Sequence, residues 1–348
     1  MISNTSLAKC AFSVAGLIAT AAIVLLASTP LIALSQPRTG TGALPLQLVG
    51  DYPLPGATTR WDYVSHDPGG KQLFIAHLGD SAVVVMNTQT RVVTATIGGI
   101  GQVHGTLVVP ELGRMYASAT QTNEVVVIDT TTLKTIARIP GGVYPDGLAY
   151  APDAGKLYVS DQNGKTETVI DVRTNKRIAT LDMQGSVGNS QYDPVSKHIF
   201  VNVQGRGELF EINPATDAIV DRIPLPGTDG NHGLLIEPRL RLALIACEGN
   251  DKLLVLNLNT KKIVSTFSVG KDPDVIAYDA ALGTLYVAGE AGVLSVFKVS
   301  AAGVSKIGEG YVGPNAHSLA VDPASHEVYF PLKDVAGRSV MRVMKPSP

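Results

Sequence analysis

The sequence predicts an all-β fold, a seven-bladed β-propeller of four-stranded antiparallel blades, on three observations. Segments recur at intervals of about 42 residues, the spacing of propeller blades. Within each interval, short β-branched runs alternate with Gly, Asp, Asn or Pro clusters, and helical apolar spacing is missing. Finally, the last interval holds only three strands, while one unpaired strand, Leu46 to Pro53, precedes the first.

The repeat is read most plainly from Lys156-Leu-Tyr-Val-Ser160, Thr168-Val-Ile-Asp171 and Arg177-Ile-Ala-Thr-Leu181. It returns as Gly113-Arg-Met-Tyr-Ala117 with Val125-Val-Val-Ile-Asp129, and again as Thr284-Leu-Tyr-Val-Ala288. Asp153-Ala-Gly155 and Thr174-Asn175 have the composition of its turns. One position near the start of each unit gives Asp62, His104, Asp146, Gly188, His232, Asp274 and His317, separated by 42, 42, 42, 44, 42 and 43 residues. Seven such starts mean seven blades. The strand Leu46 to Pro53 is expected to complete blade seven and remove the open sheet edge there.

Ahead of the repeats, Lys9 is the only charge before an apolar run from Cys10 to Leu34, which reads as an export signal. Small residues at Ala33 and Ser35 suit cleavage before Gln36, and an uncleaved membrane anchor is the competing reading of the same run. The expected organisation is a signal peptide or anchor over 1–35, a linker over 36–44 and the propeller over 45–346, facing the periplasm or the exterior. Without the signal only Cys247 remains, so no internal disulfide closes the fold.

Composition narrows the function classes. With 17% charged residues, formal net charge -2 and 5% aromatic residues, the chain lacks the basic field and stacking platforms that nucleic-acid binding needs. Catalytic signatures are missing too: there is no Gly-x-Ser-x-Gly elbow, phosphate loop, dinucleotide fingerprint or haem-attachment motif.

Strands one and two of a blade run antiparallel, so the start of the first and the end of the second share one face. The inner strands converge there, so Asp62, His104, Asp146, His232, Asp274 and His317 should ring the channel mouth, with Asn189 standing in beside Gly188. The ends of the second strands add His77, Asp161 and Cys247, followed in later blades by Glu248, Glu290 and Lys333. His66, His198 and His326 fall on the opposite face. A polar residue opening a strand also caps its own loop, a role open to each position singly. Three histidines in one ring exceed what loop capping needs.

Three imidazoles, His104, His232 and His317, are therefore candidate ligands for a divalent metal ion, with the carboxylates completing or orienting the set. A small polar ligand or a partner protein at the same mouth is the alternative occupant, with Trp61 placed to cover it or simply to pack.

Leu157-Tyr-Val-Ser160 and Val169-Ile-Asp171-Val-Arg-Thr-Asn175 resemble the repeats of the YVTN-repeat, or YncE-like, bacterial propellers, and the resemblance covers about residues 45 to 345. It implies the seven-bladed fold and an exported binding or scaffold protein. Propellers carry unrelated activities, so a metal-assisted, lactonase-like hydrolase using the same rim is the enzymatic alternative. Single-stranded nucleic-acid binding, associated with a relative, runs against the composition here.

Overall fold

The computed structural model describes residues 42–348. The expected signal or anchor over 1–35, with Cys10, and most of the linker lie outside the described residues. Seven four-stranded antiparallel sheets form the blades, and in six of them the strands follow chain order from the axis outwards. Blade three illustrates the pattern, with strands Pro145–Ala151, Lys156–Asp161, Thr166–Asp171 and Lys176–Asp182. Its first turn is a single 3-10 turn, Pro152–Ala154, closed by Gly155 at φ 63°, a left-handed conformation that costs glycine little.

Each inner sheet is buried on both faces, so alternate side chains serve different neighbours. In Gln72–His77, Phe74 and Ala76 pack with Met115, Ala117 and Val126 of blade two, while Leu73 and Ile75 pack with Tyr329, Met341 and Val343 of blade seven. The same alternation yields seven apolar clusters, one per blade interface. The tyrosine of the repeat (Tyr116, Tyr158, Tyr286 and Tyr329) is buried in these walls. The outer strands are exposed on one side, at residues such as Ile136, Ile178 and Val220.

Blade seven closes as expected. Leu46–Pro53 pairs antiparallel with Val340–Pro346 and becomes its outer strand, and Arg342 binds the Asp51 carboxylate through two nitrogens, one at 2.6 Å. Cys247 is a free, buried thiol in the wall between blades four and five, so among the described residues ring closure rests on strand pairing and packing. Deleting Leu46–Pro53 exposes the Val340–Pro346 edge, and the melting temperature should fall by on the order of 10 °C; an unchanged value would contradict the closure role.

One polar group interrupts these walls. Glu167 is fully buried between blades three and four, where the Ser160 hydroxyl donates to it at 2.6 Å and Ser190 lies at 3.3 Å. Burial, above all, pushes its carboxyl up to about 8. The folded chain then holds a proton that the unfolded chain has lost above about 4.5. Glu167 should therefore contribute a fall in stability of about 1.4 kcal/mol per pH unit from about 4.5 to about 8, and nothing further above. Chemical denaturation across this range should show Glu167→Gln flattening that slope; an unchanged slope would assign the proton elsewhere.

Candidate functional site

The ring positions are set by a shared irregularity. In blade three Pro145 pairs with Asp161 and Leu148 with Val159, so Asp146 and Gly147 together oppose the single residue Ser160. The same β-bulge places His104 with Gly105, Gly188 with Asn189, His232 with Gly233 and Asp274 with Val275. Blade one follows suit, since Asp62 donates its amide to Ala76 and Ala76 returns one to Tyr63. A bulge re-aims side chains locally, and here it turns the ring side chains of blades one, two, three, five and six toward the axis.

Neighbouring blades lock these bulges. Ser118 donates to the Asp146 carbonyl at 2.7 Å, Thr120 to the Pro145 carbonyl at 2.7 Å, and the Asn202 amide to the His232 carbonyl at 2.9 Å. Blade four lacks a ring side chain for a steric reason. A Cβ on Gly188 would lie 2.8 Å from the His232 Cα and carbonyl oxygen, where backbone cannot yield. Asn189 instead reaches inward and accepts the Tyr63 hydroxyl at 2.7 Å.

Asp62, His104, Asp146, His232, Asp274 and His317 are all buried at the mouth, but they are not equivalent. His104 has both nitrogens engaged: Nδ1 meets Thr120 at 2.7 Å and the Gln102 carbonyl at 2.9 Å, while Nε2 meets the Tyr144 hydroxyl at 3.1 Å. His232 is engaged as well, with Nδ1 2.9 Å from the Gln204 amide and Nε2 3.3 Å from both the Tyr63 hydroxyl and Asp274. His317 differs. Its Nδ1 lies 3.0 Å from the Asn315 carbonyl, and its Nε2 has no hydrogen-bond partner.

Arg60 spans the ring from above, with Nε 3.2 Å from Asp62, one amine on Glu290 at 2.5 Å and the other 3.9 Å from Asp274. Two groups converge on Asp274: His232 with Glu248, and His317 with Glu290, the donor atoms of each group lying within 4.8 Å of one another. The three histidines named from the sequence thus divide, with His104 in neither group.

The electrostatics follow from burial and neighbours. Burial pushes the Asp62 carboxyl above its ordinary range, and His317, His104 and Arg60 offset this only in part. Burial would raise Asp274 too, but contact with His232, with His317 and Arg60 nearby, brings it down to about 2. Burial opposes charge on His232, yet Glu248, Asp274 and Asp146 lift it to about 10. Glu248 is pushed up to about 7 by burial and by the carboxylates around it, against the pull of His232. Burial likewise opposes the charge on Arg60, but Asp62, Glu290 and Asp274 hold its guanidinium protonated.

Of the remaining candidates, His77 and Asp161 are oriented elsewhere. His77 stacks on Trp61 with ring centroids 3.7 Å apart and contacts Thr59 and Asp80, so the pair packs behind the ring. Asp161 accepts from Thr166, Thr168 and the Gly142 amide, capping its own blade. Glu290 faces the mouth between Arg60 and Asn315. On the other face His66 lines a cavity of about 300 Å³, while His198 and His326 pair with Glu211 and Asp279. Tyr63 and Asn189 line that cavity also, so their hydrogen bond lies between it and the rim. Arg60, Tyr63 and Tyr144 were missed from the sequence, because each stands in a loop or bulge slot that changes chemistry from blade to blade.

No protein-family model matches the chain, and no curated protein matches it. Solved structures do. The chain is similar to a chain of Kuenenia stuttgartiensis hydrazine synthase, with TM-score 0.70 and 15% identity over 80% of this chain and 94% of that one. It is also similar to a chain in the crystal structure of a mitotic checkpoint complex, with TM-score 0.72 and 11% identity over 95% of this chain and 100% of that one. At these identities the likeness shows the propeller fold alone.

Tyr63 and Asn189 should be energetically coupled across the channel. Tyr63→Phe strips both Asn189 and His232 of a buried partner and should cost about 1–3 kcal/mol in urea denaturation. A double-mutant cycle with Asn189→Ala should be non-additive by at least about 0.5 kcal/mol, and strict additivity would contradict the link.

Proposed function

We propose that this protein is an exported, YncE-like propeller that binds a small cationic ligand at the Asp/His rim of its channel. One observation carries the reading. Three buried rim atoms, Asp146 Oδ1, Asp274 Oδ1 and His317 Nε2, have no hydrogen-bond partner, although buried polar atoms are almost always satisfied. Asp274 Oδ1 touches His232 at 3.3 Å without the alignment of a hydrogen bond. Atoms left this way at the mouth of a pore are what a bound ligand would satisfy.

Charge selects the ligand. Asp62, Asp274 and Glu290 surround the Arg60 guanidinium, Glu248 stands with His232 and Asp274, and Asp146 adds a further buried carboxylate to the rim. A cation relieves the repulsion among these carboxylates; an anion adds to it. Export is supported by the apolar run from Cys10 to Leu34 behind Lys9 and by the single remaining cysteine, and membership of the YncE-like family by the Leu157-Tyr-Val-Ser160 repeat pattern.

A ligand that binds only the folded state raises its melting temperature by mass action. Across small organic cations, divalent metal ions and anions of matched size, at least one cation should stabilise the protein and no anion should. The shift should vanish in the double variant Asp146→Asn/Asp274→Asn. If no cation stabilises the wild-type chain, the rim is not a cation site.

A further inference from the structure

We infer that His317, Asp274 and Glu290 form a divalent metal centre for which Arg60 is the resident competitor. The inference rests on the cation-binding reading of the rim and names both the ligand class and the atoms. Of the three ring histidines, only His317 has a nitrogen to give: the nitrogens of His104 and His232 all have polar neighbours within 3.3 Å. The His317 ring is held as metal-ligating histidines usually are. Its Nδ1 donates to the Asn315 carbonyl at 3.0 Å, which leaves the lone pair on Nε2 and fixes the ring plane.

That lone pair is buried, with His317 only 1% exposed, and has no partner. It points between two buried carboxylates, 4.0 Å from Asp62 Oδ2 and 3.9 Å from Asp274 Oδ2. These spans are too long for hydrogen bonds, and the one to Asp274 leaves room for a shared ion, since bonds of about 2.3 Å at angles between about 90° and 180° separate two ligands by about 3.3–4.6 Å. One imidazole with two carboxylates is a ligand set that suits a divalent ion of the manganese class. Glu290 supplies a further oxygen, since Asp274, Glu290 and His317 have donor atoms within 4.8 Å of one another.

Arg60 contacts both of these carboxylates, Glu290 and Asp274, together with the neighbouring Asp62, and is the half-exposed lid over them. Its guanidinium supplies the charge that a divalent ion would supply, so the two compete. Removing this side chain should therefore tighten metal binding, whereas losing an ordinary pocket residue weakens it.

The test uses the full chain stripped with EDTA and titrated with Mn²⁺, read by electron paramagnetic resonance. The wild type should bind one ion with nitrogen coupling from one imidazole. His317→Gln should lose the coupling and most of the affinity, His104→Gln should retain both, and Arg60→Gln should bind about tenfold tighter. Equal melting temperatures in EDTA establish that the variants are folded. Should His317→Gln not fold, Arg60→Gln decides, and unchanged or weaker binding overturns the inference. Nitrogen coupling that survives in His317→Gln, or disappears in His104→Gln, also overturns it. If Mn²⁺ fails to bind while an organic cation still stabilises the wild type, the metal centre falls and the cation-binding rim stands. If neither binds, both fall.

Discussion

The rim exists because the inner strand of each of blades one to six departs from regular pairing at one place. Regular pleating would alternate successive side chains between the two walls of a blade and leave none pointing along the axis. The bulge at Asp146 and Gly147, repeated at His104, Gly188, His232 and Asp274, inserts one residue and turns a side chain inward. The ring side chains of blades one, two, three, five and six depend on that offset. It also explains the position of Asn189, which takes the second bulge slot because the first, Gly188, is pressed against the blade-five backbone.

A bulge leaves backbone groups to be satisfied, and the structure satisfies them from the next blade along. Ser118 and Thr120 donate to the carbonyls of Asp146 and Pro145, and Asn202 to those of His232 and Gly233. Asp146 and His232 are thus positioned by their own strands and by residues at the second strand of the adjoining blade. The fold and the site are in this sense one structure. The apolar clusters at each interface set the blade spacing, and that spacing brings a serine or threonine hydroxyl within 2.7 Å of a ring carbonyl.

The blade count, the blade limits and the closing strand were legible in the sequence because they follow from a period, and periodic features survive averaging over seven copies. Leu46–Pro53 fell where the missing strand was needed, and it pairs there. The six ring residues were legible for the same reason. What could not be read was which ring residues are satisfied and which are not. His104 and His317 occupy equivalent positions, yet Tyr144 and Thr120 complete one while the other keeps a bare Nε2. Those partners, like Arg60 and Tyr63, stand at repeat positions whose residue type changes from blade to blade. Asp161 and His77 were equally invisible in their orientation, since a strand end can turn either to its own loop or to the axis.

Asymmetry within a symmetric ring is what gives the mouth chemical direction. Around the axis, Asp274 stands between His232 and His317 and contacts both, the first at 3.3 Å and the second at 3.9 Å. On the His232 side the buried charge is compensated within the protein, since imidazolium and carboxylate neutralise each other. On the His317 side the compensating cation is Arg60, a half-exposed side chain on a loop, over an imidazole nitrogen with no partner. A buried carboxylate cluster requires a counter-charge, but a flexible guanidinium is one that an incoming cation can replace. The two sides of Asp274 therefore divide the labour: one holds the carboxylate ionised and in place, and the other presents it to whatever enters the channel.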